Sequence, residues 1–504
     1  MKQGVTPGTE GMTPCTEGRM RTVTDGKRSA ALLGFLKKRR AVLACVLLLA
    51  ALIALLARSG GRSDRYIVEA EYDETAHQLR VHEVFKYTNR TGQTLDALCF
   101  NLWPNAYADE HDAPVADSEL QFAYPEGFSA GGAEVTSVRA AGKEAGWRLE
   151  GEQRTLLRVQ LPFRLRPTGS VEVELAYTVT LPRTRLRMGV SEQDVRLANV
   201  FATLCAFEDG EFRADGYSKL GDPFVSECVD WQVTLTAPTA FVAAGAGLEE
   251  AGEGVWRFRA QSLRDFALFL SKDYFVTQQD ADGVTVRSFA FTQEGAQQAL
   301  TTAVRALEVY EGLYGEYPYA DYTVCAGRFC IGGMEYPGIS LIDDALYRSG
   351  DGMLEFVIAH ETAHQWWYAG VGSDQIRAPW QDEALAEYST LLYYEAVYGA
   401  ESFDSLYQSM VRPATESASL RGVGVGQSLD KFESAATYDA LVYRKGAAML
   451  HDLRVTLGND AFLAAMQRYY RDNLFAIAQP EDFFAALGSQ GAQRAAQWLS
   501  GERP

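Results

Sequence analysis

The chain has 504 residues, 47% of them hydrophobic and 12% aromatic, with a formal net charge of −19. That length accommodates two or three domains, and that apolar content fills large cores, which excludes a wholly disordered or fibrous chain. The charge is uneven, +7 over residues 1–58 and −26 over the remainder. A body this acidic lacks the basic footprint that phosphate backbones need, so nucleic acid is not an expected partner.

Residues 1–36 are polar, Gly/Thr-rich and aperiodic, and are predicted to form a disordered cytoplasmic tail. Lys37-Lys38-Arg39-Arg40 then precedes an uncharged run of 17 residues, Ala41 to Ala57, closed by Arg58. Such a run is just long enough to span a bilayer, and the cationic cluster holds its near end in the cytoplasm. A transmembrane signal anchor is therefore predicted over 37–58, with the body outside the cytoplasmic membrane. Ala54-Leu55-Leu56-Ala57 leaves a cleaved leader as the alternative. Residues 59–65 read as a flexible linker.

From Tyr66 onward the period is two. Leu157, Val159 and Leu161 alternate with polar residues before Pro162. Val171, Val173, Leu175, Tyr177, Val179 and Leu181 do so before Pro182, and Val229, Trp231, Val233 and Leu235 before Pro238. This pattern predicts an antiparallel β-sheet domain over 66–270. Near residue 295 the period becomes helical, through Ala299, Leu300, Ala303, Val304, Leu307, Tyr310 and Tyr314. A short strand at Tyr322–Ala326 follows, then helical patterns at about 353–369, 382–397, 438–457, 460–470 and 480–487. Residues 271–504 are thus expected to form a mainly helical α/β domain, and the chain as a whole a multidomain protein. The seven cysteines are too few for a disulfide scaffold at this length. Cys325 and Cys330 are near enough in sequence to pair, and the other body cysteines suit buried thiols.

The chemistry centres on His360-Glu361-Thr362-Ala363-His364. On a helix, two residues four apart lie about 40° apart on one face, so both imidazoles can meet one zinc ion while Glu361 stands beside it. A zinc site needs a third protein ligand, and Glu383, 19 residues after His364 at the start of the next helical stretch, is the candidate. Asp382 and Glu387 are candidates to stand behind the histidines or to be solvated helix charges. His77, His82, His111 and His451 show no ligand spacing.

This His-Glu-x-x-His motif with 18 residues before a Glu resembles the aminopeptidase N family of zinc peptidases, a branch of the gluzincins. Trp380-Gln381-Asp382-Glu383-Ala384-Leu385-Ala386 resembles the family's Trp-Leu-Asn-Glu-Gly-Phe-Ala. Gly332-Gly333-Met334-Glu335-Tyr336 resembles its Gly-x-Met-Glu-Asn exopeptidase motif, and Tyr443-Arg444-Lys445-Gly446-Ala447 its Tyr-x-Lys-Gly-Ala segment. The resemblance implies a thermolysin-like catalytic domain holding one Zn²⁺ through His360, His364 and Glu383, with Glu361 as general base. It implies that Tyr443, rather than Tyr438, donates to the oxyanion. It also implies that Gly332, Gly333, Met334 and Glu335 bind the substrate, Glu335 pairing with the free ammonium of a peptide.

Three departures from the family pattern stand out. Tyr336 replaces the usual Asn. A second amine-gripping residue from the sheet domain is not evident, Glu208 being a weak candidate. The catalytic domain is expected to finish near Trp498-Leu499 without the helical C-terminal domain of longer members, which leaves the cleft more open or covered by a partner. A zinc endopeptidase and a non-catalytic peptide-binding protein on the same fold are the alternative readings.

Overall fold

The computed structural model describes residues 64–502. The predicted tail, the anchor with its span 41–57, and most of the linker lie outside them. Among the described residues no helix is long and apolar enough to cross a membrane. The linker's last residue, Arg65, already belongs to a strand, Arg65–Asp73. Asp64 is held in place by accepting from the Thr88 amide (2.8 Å) and the Arg90 guanidinium (2.6 Å).

The period-two segments build three sheets. The largest has eight strands, and its centre runs Val229–Thr236, Arg65–Asp73, Gln78–Thr88, Ser170–Thr180. It is antiparallel except between Arg65–Asp73 and Val229–Thr236, which run parallel. That exception corrects a purely antiparallel reading: the two strands are distant in sequence and no hairpin joins them. A four-stranded sheet includes Thr203–Leu204, Leu95–Asn101 and Leu156–Leu165, and another joins Val242–Gly245 to Leu268–Ser271. Pro162, read from sequence as a strand end, lies inside Leu156–Leu165. The register against Leu95–Asn101 shifts there, so the missing N–H falls in a bulge.

Alternation places Phe85 and Val81 in the core, but Glu83 shares their face and is also fully buried. Its Oε2 accepts from Tyr177 Oη (2.6 Å) and the Ala202 amide (3.1 Å), while Oε1 has no partner. Burial outweighs these bonds and lifts the carboxyl from 4.5 to about 8. A raised folded-state value means that the contribution of this group to stability is complete below about 4.5 and is lost as the pH rises to about 8. Glu83→Gln, neutral throughout, is expected to flatten the fall in thermal midpoint between pH 5 and 8. Parallel melting curves for variant and parent would show it, and equal slopes would refute it.

Sheet membership changes after Ser271. A five-stranded sheet orders Phe275–Ala281, Val284–Ala290, Asp321–Gly327, Ile339–Asp343 and Gly333–Tyr336, the last being its antiparallel edge strand. Helix Gln293–Tyr314 starts where Thr292 Oγ1 accepts from the Gly295 amide (3.0 Å) and stops at Gly315. Its apolar stripe packs on helix Met353–Ala363, and Tyr310 Oη donates to the Ala359 carbonyl (2.9 Å). Helix Trp380–Tyr398 packs against both of these helices and is buried from Trp380 to Tyr393, polar side chains included.

The predicted helix at 353–369 keeps regular geometry only to Ala363. Trp367 leaves it at φ −107°, ψ 62°, with Trp367 Nε1 donating to Ser389 Oγ (2.9 Å) and Trp366 Nε1 to the Gly315 carbonyl (3.0 Å). Arg264, from the sheet region, donates to the Tyr368 (2.8 Å) and Ala476 (2.6 Å) carbonyls, clamping this irregular segment. The stretch predicted as helix over 438–457 is helical throughout: Ala435–Tyr438 runs through a wide, π-helical turn at Asp439–Lys445 into Gly446–Leu457. The last helix extends to Ser500, interrupted at Gly488 (φ 72°).

Candidate active site

Helix Met353–Ala363 presents His360 and His364 towards Glu383 on the first turn of helix Trp380–Tyr398. The two Nε2 atoms are 3.2 Å apart, and each lies 3.4 Å from Glu383 Oε2. A triangle of that size leaves room for an ion about 2 Å from each corner, the usual zinc–nitrogen and zinc–oxygen distance. Glu383 Oε2 has no conventional hydrogen-bond donor, so two imidazoles and a carboxylate form an unsatisfied, buried set of zinc-type donors. His360, His364 and Glu383 therefore fit the ion.

The outer imidazole nitrogens are held from behind. His364 Nδ1 lies 2.6 Å from Asp382 Oδ1, and Gln375 Nε2 donates to Asp382 Oδ2. His360 Nδ1 lies 3.3 Å from Glu387 Oε2, and Glu387 is paired with Arg444. Asp382 and Glu387 thus orient the two rings so that both Nε2 lone pairs face Glu383. Burial disfavours imidazolium at both histidines. At His360, hydrogen bonding to Glu383 and Glu387 overcomes it and lifts the ring to about 9. At His364 the Asp382 and Glu335 carboxylates also raise it. Burial likewise opposes a charged Glu383, but the two imidazoles beside it hold it well below its usual range.

Glu361 is 5% exposed and its Oε2 has no partner. Burial raises its carboxyl to about 7, against the pull of His360 and His364. Ionisable oxygens and nitrogens of Glu335, Glu361 and His364 lie within 4.8 Å of one another. Glu335 is brought there by the edge strand Gly333–Tyr336, and it is itself buried. The strand passes so close to the helix that a Cβ on Gly333 would collide with the Glu361 carboxylate. Gly332 adopts φ +87°, so this approach needs both glycines, for different reasons. Gly333→Ala is expected to push Glu361 aside and cut kcat roughly 10²-fold while zinc content is retained. Steady-state kinetics with metal analysis checks this, and an unchanged kcat would remove Gly333 from the site.

Tyr443 stands on the wide turn, stacked on His360 with ring centroids 5.8 Å apart and planes at 17°, and its hydroxyl reaches Glu383. Tyr438 packs edge-on against it. A cavity of about 380 Å³ is lined by Gly332, Gly333, Met334, Glu335, His360, Glu361, His364, Glu383, Tyr438 and Tyr443. The nine residues expected to hold zinc, act in catalysis or bind the substrate therefore meet in one cleft, with Tyr438 beside them.

Other expectations change. Glu208 is not part of the lining; it pairs with Arg377 and approaches Arg213 (3.8 Å). Tyr336 turns away from the cavity into the core against Phe269. The lining also contains Arg187, Asp222 and Arg444, which the sequence reading missed. Arg187 and Asp222 form a buried ion pair, and Arg187 Nε reaches Met334 Sδ (2.8 Å). Asp222 sits in an irregular loop with no periodic signal. Arg444 occupies the variable position of the Tyr-x-Lys-Gly-Ala segment, and it neutralises Glu387.

A buried His–His–Glu triangle with a carboxylate base beside it, between a helical domain and a β-sheet region, defines a metallohydrolase-type site. Residues 298–499 match the peptidase family M1 domain, the domain of the aminopeptidase N family. It is 24% identical over 272 residues to aminopeptidase N of Lactococcus lactis, covering 49% of this chain and 31% of the relative. Aminopeptidase M1 of Arabidopsis thaliana is 24% identical over 230 residues, covering 42% and 26%. The chain thus spans under a third of the length of these relatives. An M1 zinc metallopeptidase structure from Deinococcus radiodurans superposes with a TM-score of 0.62 over 88% of this chain and 94% of that one, at 17% identity, so the fold is shared.

Proposed function

We propose that this chain is a zinc aminopeptidase that removes single residues from the N-terminus of peptides by attack of water on the first peptide bond. The observation that carries the reading is Glu335, a buried carboxylate within 4.8 Å of donor atoms of Glu361 and His364. In a peptide the α-ammonium and the first carbonyl carbon are two bonds apart. A carboxylate this close to the reacting centre therefore counts one residue from the free end. The relatives named above as aminopeptidases support the same reading.

When bound to His360, His364 and Glu383, zinc polarises the scissile carbonyl and makes the attacking water more acidic. Glu335 pairs with the substrate ammonium, which needs a charged partner once it has left water. Glu361 takes the proton of the water on its free Oε2 and passes it to the departing amine. Tyr443, stacked on His360, donates a hydrogen bond to the oxygen of the carbonyl as that oxygen gains charge. Asp382 and Glu387 hold the imidazoles in register. The uncharged run at 41–57 supports an anchored enzyme acting outside the cytoplasmic membrane, with free-amine peptides as its partners.

The test uses paired peptide reporters that differ only in N-acetylation, with and without a chelator. Cleavage of the free-amine peptide is expected to stop with chelator and return with zinc, and the acetylated peptide should resist. Equal cleavage of both peptides would indicate an endopeptidase. A zinc-loaded protein that cleaves neither, across a broad panel of first residues, would indicate a binding protein.

A further inference from the structure

Two buried thiols outside the cleft face each other across adjacent strands. Thr203 pairs with Asn101 and Leu204 with Phe100, and the ladder continues one step, the Cys205 amide donating to the Cys99 carbonyl (2.9 Å). Directly opposed residues of an antiparallel pair send their side chains to the same face with Cα atoms about 4.5–5.5 Å apart, which is within the reach of a disulfide. Cys99 and Cys205 are 1% and 3% exposed in one apolar core, and both are free thiols. The neighbouring Cys205 side chain, aided by nearby Arg158, holds Cys99 below the ordinary thiol range against the effect of burial, whereas burial raises Cys205, whose thiol donates to Asn101 Oδ1 (3.3 Å). Cys205 also lines a separate cavity of about 440 Å³, together with Tyr66, Cys228 and Arg264. The pairing considered from sequence is not formed: Cys325 and Cys330 are both free, and the Cys325 thiol donates to Tyr274 Oη (3.1 Å).

We propose that Cys99 and Cys205 are a redox modification site, closing to a reversible disulfide that staples the strand Thr203–Leu204 to Leu95–Asn101. The strand Thr203–Leu204 is only two residues long, and the chain that follows it, 206–228, delivers Lys219, Leu220, Gly221 and Asp222 to the cleft. The cross-link fixes the root of that cleft wall. The oxidant is a small-molecule disulfide. The Cys99 thiolate attacks one of its sulfurs and expels one thiolate, leaving a mixed disulfide. Cys205, deprotonated, attacks the Cys99 sulfur and expels the second. Two protein thiols thus lose two electrons and two protons, and one disulfide reagent becomes two thiols.

The full chain is reduced, then treated with bis(2-hydroxyethyl) disulfide in two ways, as the folded protein and during refolding from urea. Both samples are alkylated under denaturing conditions and digested for mass spectrometry. A peptide linking Cys99 to Cys205 is expected in at least one sample, together with a reductant-reversible rise in thermal midpoint of about 5 °C. Cys99→Ala and Cys205→Ala should each lack both. Alkylation of both thiols in both samples, a link to Cys228 instead, or an equal rise in either variant would overturn the proposal. The result does not depend on peptidase activity, so it stands or falls separately from the proposed function.

Discussion

Glu361→Gln is expected to lower kcat on a free-amine aminoacyl reporter by about 10²–10⁴-fold while the protein still binds one zinc. The substitution is nearly isosteric, and it must be, because the edge strand at Gly333 lies directly against this side chain. The Glu361 Oε2 atom is buried and has no hydrogen-bond partner, so no structural contact depends on its charge. What the amide loses is the capacity to accept a proton and return it. The zinc donors His360, His364 and Glu383 are untouched, and they are held by Asp382 and Glu387 rather than by Glu361. Steady-state kinetics with metal analysis decides the matter. A variant as active as the parent would sink the base assignment, and loss of zinc along with activity would show that Glu361 acts on the metal site instead.

Glu335→Ala carries the second large effect. Removing one partner of a buried charge pair costs about 2–5 kcal/mol, so kcat/KM for free-amine peptides should fall by roughly 30- to 5,000-fold. The loss should be selective. N-acetylated peptides have no ammonium to place, and their slow cleavage should not fall further, so the preference for free over blocked peptides collapses. A mere packing defect would reduce both substrates alike. The structure favours the selective outcome because Glu335 is surrounded by carboxylates as well as burial. Desolvation disfavours its charge first, and Asp222, Asp382 and Glu383 disfavour it further, with His364 opposing. An arriving ammonium relieves that accumulation of negative charge. Asp222, across the same cavity and held by Arg187, contributes to the field that draws the ammonium in.

The zinc triad was readable because its information is local. Residues His360 and His364 share a helix face by periodicity alone, and the next helix supplies Glu383 at a spacing that a short connection can close. Sheet and helix regions were equally legible from period two and period 3.6, since burial of one face imposes each pattern. Less was readable where an element is irregular. The segment Asp439–Lys445 looks like ordinary α-helix in sequence, yet it winds as a wider π-helical turn that carries Tyr443, stacked on His360. Trp367 breaks from the helix because its indole is pulled to Ser389 and Arg264 grips the carbonyl of the next residue.

Composition and residue spacing therefore pointed to a sheet-then-helix chain and a zinc-type donor set with Glu361 beside it, and the family resemblance added the proposed amine-binding role of Glu335. Only the tertiary structure chose among groups with no fixed spacing. It placed Arg187 and Asp222 in the cleft and Glu208 outside it, turned Tyr336 into the core, gave Glu387 its Arg444 counter-charge, and set Cys99 opposite Cys205. The physical reason is the range of the interactions. A helix or strand repeats within a few residues, so its face is written in the chain. An ion pair or a facing pair of thiols depends on how separate segments dock, and docking is decided by packing over the whole fold.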